Sequence, residues 1–200
     1  DNVGELITDL QKHDIAKEYF MEIRNIDRTK EYKKWSNVKK ASRFIYLNRT
    51  CFNGMYRVNS KGEFNVPFGH YKNPRILDEN NLINCSKLLQ KTEINHADFS
   101  EILKKVKKGD FVYFDPPYVP LSETSSFTSY TKDGFDIDMQ FKLRETCDEL
   151  DSKGVKFLLS NSDTKLVNEL YENYNIKKVF ASRQINANTD GRGKITEVLV

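Results

Sequence analysis

No apolar run in these 200 residues approaches the roughly 20 that a membrane-spanning helix needs. Nor does a basic segment lead into a short apolar one, as at the start of a secretory signal. These absences make the cytoplasm the expected location and leave no membrane role. Cysteine is scarce: Cys51, Cys85 and Cys147 are isolated and odd in number. That excludes a disulfide framework, so all three are expected to be reduced, packed thiols. Histidine is equally sparse, and His96 has no second His or Cys at ligand spacing, so no metal is expected. Internal repeats and low-complexity tracts are also missing.

What is present suffices for a globular protein. With 38% hydrophobic and 12% aromatic residues, the chain can bury one sizeable core, or one core and a small subdomain. Its charge is unevenly placed. From Arg28 to Arg75 twelve Lys and Arg face two acids, a net of +10, so the remainder carries −7 of the overall +3. A basic block in an otherwise acidic protein points to a polyanionic partner, although a solvated charged face has the same composition.

Residues 1–35 read as packing helices, with Val3, Leu6, Ile7 and Leu10, then Ile15, Tyr19, Phe20 and Ile23, at helical spacing. Ser36 is a plausible N-cap for a third helix, with Val38, Ala41, Phe44 and Ile45 inward and Lys39, Lys40 and Arg43 outward. From Asn48 to Arg75 long aliphatics give way to Arg, Lys, Asn and aromatics. Asn53-Gly54 and Asn59-Ser60-Lys61-Gly62 read as a turn and a β-hairpin between Arg57-Val58 and Phe64-Asn65-Val66. Such a hairpin is a poor core element but suits a DNA groove, where Arg pairs with guanine and Asn with adenine. A short helix over 78–90 and a short strand over 92–94 follow.

Phe111-Val112-Tyr113-Phe114 reads as a buried strand that Asp115-Pro116-Pro117 must stop, because consecutive prolines supply no N–H to a ladder. Asp115 then lies at the carboxyl tip of a strand, the edge where open α/β sheets bind ligands, with Tyr118 beside it. The long Ser/Thr-rich stretch from Val119 to Phe135 is expected to be a substrate lid. A helix from Asp136 to about Gly154, a strand over 155–159 delivering Ser160-Asn161-Ser162 to the same edge, a helix over 163–173 and strands over 176–180 and 194–200 complete the pattern. This alternation predicts an α/β sheet, parallel with a terminal antiparallel member.

Two blocks carry a resemblance over essentially the whole chain. Asn-Arg-x-x-Phe-Asn-Gly-Met-x-Arg-x-Asn-x-x-Gly-Glu-Phe-Asn-Val-Pro-Phe-Gly at 48–69, followed by Tyr-Phe-Asp-Pro-Pro-Tyr at 113–118, resembles the D12-class DNA adenine N6-methyltransferases of the Dam type. The resemblance implies a partial Rossmann-like methyltransferase sheet with a helical and β-hairpin DNA-recognition subdomain, divided as residues 1–90 and 91–200. It implies methyl transfer from S-adenosyl-L-methionine to an adenine flipped out of double-stranded DNA, usually in GATC, and allows a cognate restriction endonuclease as partner. Asp115 and the Pro116 carbonyl, with Pro117 and Tyr118, would grip and stack the target base. Asp98, Phe99 and Asp115 would meet the cofactor. Arg57 would read guanine, Phe52 and Asn53 would wedge and contact the orphaned base, and Met55 and Pro67 would lie near thymine methyls. Arg49, Asn59, Asn65 and Lys72 would hold phosphates or flanking bases, and His70 stands where the family often has Arg. The family's N-terminal Gly-rich cofactor loop has no counterpart here, so the chain is expected to be a C-terminal portion that binds cofactor weakly. A DNA-binding module without catalysis, or methylation of cytosine N4 or a protein amide, would share parts of this pattern.

Overall fold

A computed structural model describes residues 2–121, 135–183 and 193–200, which fall into two units, Asp1–Asn95 and His96–Val200. The expected lid lies mostly outside the described residues.

The first unit contains α1 (Val3–Leu10), α2 (Lys17–Asn25), α3 (Asn37–Thr50) and α4 (Glu79–Leu89). Ser36 does cap α3, its side chain accepting from the Lys39 amide at 3.3 Å. The core gathers Phe20, Tyr46, Leu47, Cys51, Phe64 and Val66. The inner face of α3 is not the expected one: Ser42, Arg43, Tyr46, Leu47 and Thr50 are buried, whereas Phe44 is 51% exposed. Arg43 turns inward because Asp27 and two carbonyls await its guanidinium, as the hydrogen bonds below show. No strand forms over 92–94; the Thr92 amide and hydroxyl bond back to Leu89 and Leu88 and finish the end of α4.

The expected hairpin is reduced to two isolated bridges, Cys51 with Phe68 and Val58 with Phe64. Two main-chain bonds close it, from the Asn59 N–H to the Glu63 carbonyl at 2.9 Å and from the Asn65 N–H to the Arg57 carbonyl at 3.0 Å, and side chains reinforce this short ladder. Asp27 Oδ2 accepts from the Phe64 amide at 2.8 Å and from Arg43 Nη2 at 2.7 Å. Arg43 also donates to the carbonyls of Ile23 and Arg24, at 2.9 and 2.7 Å. Arg28 donates to Asp27 Oδ1 at 2.8 Å and to the Phe64 carbonyl at 2.9 Å. Both main-chain polar groups of Phe64 are thus held by an ion cluster. Asp27 and Arg43 side chains each retain only 8% of their exposure, so the cluster must be fully paired to be tolerated.

The second unit is built on a four-stranded sheet of β1 (Phe111–Phe114), β2 (Lys156–Ser162), β3 (Lys177–Arg183) and β4 (Gly193–Leu199), ordered β1-β2-β4-β3. β1 and β2 are parallel, and β4 is antiparallel to both of its neighbours. The antiparallel strand is therefore inserted, not peripheral. The crossover through α6 (Lys165–Leu170) sets β3 one strand away from β2, and β4 fills the gap. Helix α5 (Ile137–Ser152) is capped by Asp136, which accepts from the Met139 amide at 3.0 Å. It contributes Leu143, Cys147 and Leu150 to a core with Val112, Phe114, Leu159, Val167, Tyr171 and Val198. Cys51 and Cys147 are buried free thiols, while Cys85 is exposed. Burial pushes the Cys147 thiol up to about 12.

Candidate active site and nucleic-acid interface

Strand periodicity places Val112 and Phe114 in the core and leaves Phe111, Tyr113 and Asp115 on the other face. The parallel register pairs Phe114 with Leu159, so the next residues, Asp115 and Ser160, come opposite each other. Ser160 Oγ lies 3.1 Å from both Asp115 Oδ1 and the Tyr113 hydroxyl. Asp115 itself is exposed at the strand tip. On the opposite face the buried Asn161 takes the Val119 amide on its Oδ1 at 3.0 Å and donates to Gln140 Oε1 at 3.4 Å. Gln140 in turn donates to the Pro117 carbonyl at 3.2 Å. The turn is thus gripped on both faces. Tyr118 is half-buried, and burial raises its hydroxyl pKa, assisted by the nearby Glu197 and Asp115 carboxylates.

Asp98 and Phe99 stand at the start of a 3₁₀ helix over Phe99–Lys104. Asp98 Oδ1 accepts from the Ser100 hydroxyl and amide, at 2.5 and 2.9 Å, and from Lys142 Nζ at 2.9 Å. The Ser100 bonds, then Lys142, hold this carboxyl down at about 2. Phe99 packs edge-on to Phe114 and tilted against Phe135, with Lys142 Nζ 5.4 Å from its ring centroid. An anion beside an aromatic face suits a purine ring, and Lys142 covers both through an exposed pair that is readily displaced.

In the first unit, the Phe52 amide donates to the Pro67 carbonyl at 2.9 Å and the Asn53 amide to the Tyr71 hydroxyl at 3.0 Å. This joins Phe52, Asn53 and Pro67, with Met55 half-buried next to them. Asn53 has φ +54° and His70 φ +55°, left-handed conformations that Asn and His accept more readily than most residues. Arg57 donates through Nε to Asn65 Oδ1 at 2.7 Å and through Nη2 to the Asn65 carbonyl at 3.3 Å. Asn59 shapes the hairpin loop: its Oδ1 accepts the Lys61 and Glu63 amides, both at 3.0 Å, and its amide donates to Glu63 at 2.7 Å. Arg49, His70 and Lys72 are exposed. Phe52, Tyr56 and Tyr71 keep 50, 62 and 43% of their surface, enough to meet a base. Arg43, by contrast, is buried in the Asp27 cluster and leaves the cationic surface, while Arg28 joins the cluster and stays exposed.

The sequence pattern brings Ser160 and Asn161 to the edge that carries Asp115 but assigns them no role; it does not single out Tyr56, Tyr71 or the mid-helix Gln140. Among the described residues no group of three or more His, Cys, Asp or Glu could hold a metal ion. Nor is any described helix long and apolar enough to cross a membrane.

The chain belongs to the D12 class N6 adenine-specific DNA methyltransferase family, whose model matches residues 1–185. Among its relatives, the type II methyltransferase M1.LlaDCHI of Lactococcus lactis subsp. cremoris is 48% identical, covering 100% of this chain and 72% of its own length. M.MjaIII of Methanocaldococcus jannaschii is 51% identical over 88% of the chain and 61% of the relative. The DNA adenine methylase of Escherichia coli K12 is 36% identical over 80% of the chain and 58% of the relative. The chain thus spans about three-fifths of the length of the latter two.

Proposed function

We propose that this chain carries the methyl-acceptor site and the target-reading elements of an enzyme that methylates adenine N6 in double-stranded DNA, with GATC as the target. The observation that carries this reading is the exposed Asp115 carboxylate at the tip of β1, fixed by Ser160 and followed by a turn whose Pro117 carbonyl is held by Gln140. The adenine amine is a weak nucleophile because its lone pair is delocalised into the ring, and its base must leave the stack, at a cost of about a few kcal/mol. Asp115 and the Pro116 carbonyl accept the two N6 hydrogens and localise the lone pair, while Tyr118 stacks on the base. The amine becomes acidic as the N–C bond forms, so Asp115 need not be a strong base. Positioning supplies much of the rate. S-adenosylmethionine supplies an electrophilic methyl when bound, with Asp98 and Phe99 receiving its adenine end. The sheet would then form part of a Rossmann-like methyltransferase domain.

Target reading falls to the exposed aromatic and basic surface of residues 44–72. Arg57 reads guanine, Phe52 and Asn53 occupy the gap left by the flipped base, and Arg49 and Lys72 meet phosphates. The type II names of two relatives are compatible with a cognate restriction endonuclease.

The test is Asp115→Ala with labelled S-adenosylmethionine and duplexes with and without GATC. Transfer is expected to fall at least ~10³-fold, an estimate from losing alignment and proton acceptance together, with duplex affinity preserved. Transfer to neither duplex by the unaltered full-length enzyme, or loss of duplex binding in the variant, would refute this assignment.

A further inference from the structure

Two successive prolines leave the segment after β1 with no main-chain donor at 116 or 117, so whatever fixes it must come from side chains. The two polar groups of the segment have opposite character: Pro117 offers only a carbonyl and Val119 offers an N–H. Between them lies a chain of two neutral carboxamides. Asn161 Oδ1 accepts the Val119 amide at 3.0 Å and the Ser162 amide at 2.8 Å. Its oxygen being so engaged, its NH₂ must turn to Gln140 Oε1, 3.4 Å away. Gln140 is then left with its own NH₂ toward Pro117, whose carbonyl it meets at 3.2 Å. Flipping either amide would set donor against donor or acceptor against acceptor. Asn161 is 0% and Gln140 3% exposed, so water cannot readily repair such a mismatch.

We infer that Gln140 and Asn161 are positioning residues for methyl transfer: a polarity-matched clip that takes up the Pro117 carbonyl and the Val119 amide and leaves the neighbouring Pro116 carbonyl aimed at the substrate amine. The inference rests on the proposed reading of this site. It also explains why neutral amides stand here. An ionised side chain at either position would carry an uncompensated charge into the core beside Asp115, disturbing the group it supports.

Asn161→Leu removes the acceptor for the Val119 amide and the donor to Gln140, and Gln140→Met removes the donor to Pro117; both are close in size to the parent side chain and neither adds a charge. In single-turnover methylation at saturating DNA, each variant is expected to slow transfer by about 10–100-fold, the scale of a small misplacement of reacting groups, with KM for DNA within about threefold of the parent. Fluorescence of 2-aminopurine at the target position should still report base extrusion, and exchange of the Val119 amide with solvent should quicken in Asn161→Leu, which removes its acceptor. Should that variant fail to fold, Gln140→Met decides the matter alone. Unchanged single-turnover rates in a protein that methylates normally, or losses confined to DNA affinity, would overturn the clip. An unaltered protein that extrudes the base but transfers no methyl would instead overturn the functional reading, and the clip with it.

Discussion

The hairpin of the first unit and the Pro-Pro turn of the second share a difficulty, since main-chain bonding is sparse in both, and they solve it with opposite chemistry. At Phe64 the anchor is ionic: Asp27 and Arg28 take its N–H and C=O while Arg43 completes the cluster. At Pro117 and Val119 the anchor is a pair of neutral amides. An ion cluster binds strongly when complete but leaves a buried charge when broken. Neutral amides cost less to break but leave no stray field near the Asp115 carboxylate. The charged solution stands under the surface proposed to read DNA, and the neutral one beside the proposed acceptor site.

Breaking the ionic anchor should have the largest effect. Asp27→Ala strands Arg43 and the Phe64 amide, and is expected to destabilise the first unit by about 3–5 kcal/mol, seen as a lowered urea midpoint at unchanged slope. Asp27→Asn keeps one acceptor and should lose less. If both are tolerated equally, the cluster does not hold the hairpin. A smaller effect sharpens what the hairpin is held for. Arg57→Ala should cost about 1–3 kcal/mol of affinity on the cognate duplex with little change on random DNA. Equal losses on both, measured across a salt series, would assign Arg57 to phosphate. The smallest effect concerns an exposed carboxylate that serves neither anchor. Asp98 sits at about 2 in the folded chain, below an ordinary carboxyl. Its stabilising contribution is therefore complete above about pH 4 and fades as pH falls through 2. Ser100→Ala should raise its titration midpoint toward the ordinary value, read by carboxyl NMR shifts, leaving neutral-pH stability nearly unchanged.

Much of this was legible beforehand wherever local chemistry dictates local structure. The Ser36 and Asp136 caps, the Phe111–Phe114 strand and its abrupt end follow from side-chain hydrogen bonding and from proline's missing donor. What escaped the sequence depends on distant partners. Arg43 reads as a solvent-facing cation until Asp27, 16 positions away, is seen to receive it. Asn59 and Asn65, expected at phosphates or flanking bases, also shape a loop and steady Arg57. Gln140 lies 23 positions from the carbonyl it holds, and nothing local marks it. The basic count likewise overstates the binding surface, since composition does not separate cations that face solvent from those spent on the interior.

The insertion of β4 between β2 and β3 also bears on how the second unit is made. Among the described residues β3 bonds laterally only to β4, and the register runs from Lys177 with Leu199 to Arg183 with Gly193. While synthesis proceeds, a nascent chain ending before residue 193 holds β1 and β2 together but leaves β3 with no strand to join. Closure of this sheet is a late event that waits for residues 193–199 to leave the ribosome, and until then β2 and β3 present open edges that a chaperone or a neighbouring chain could claim.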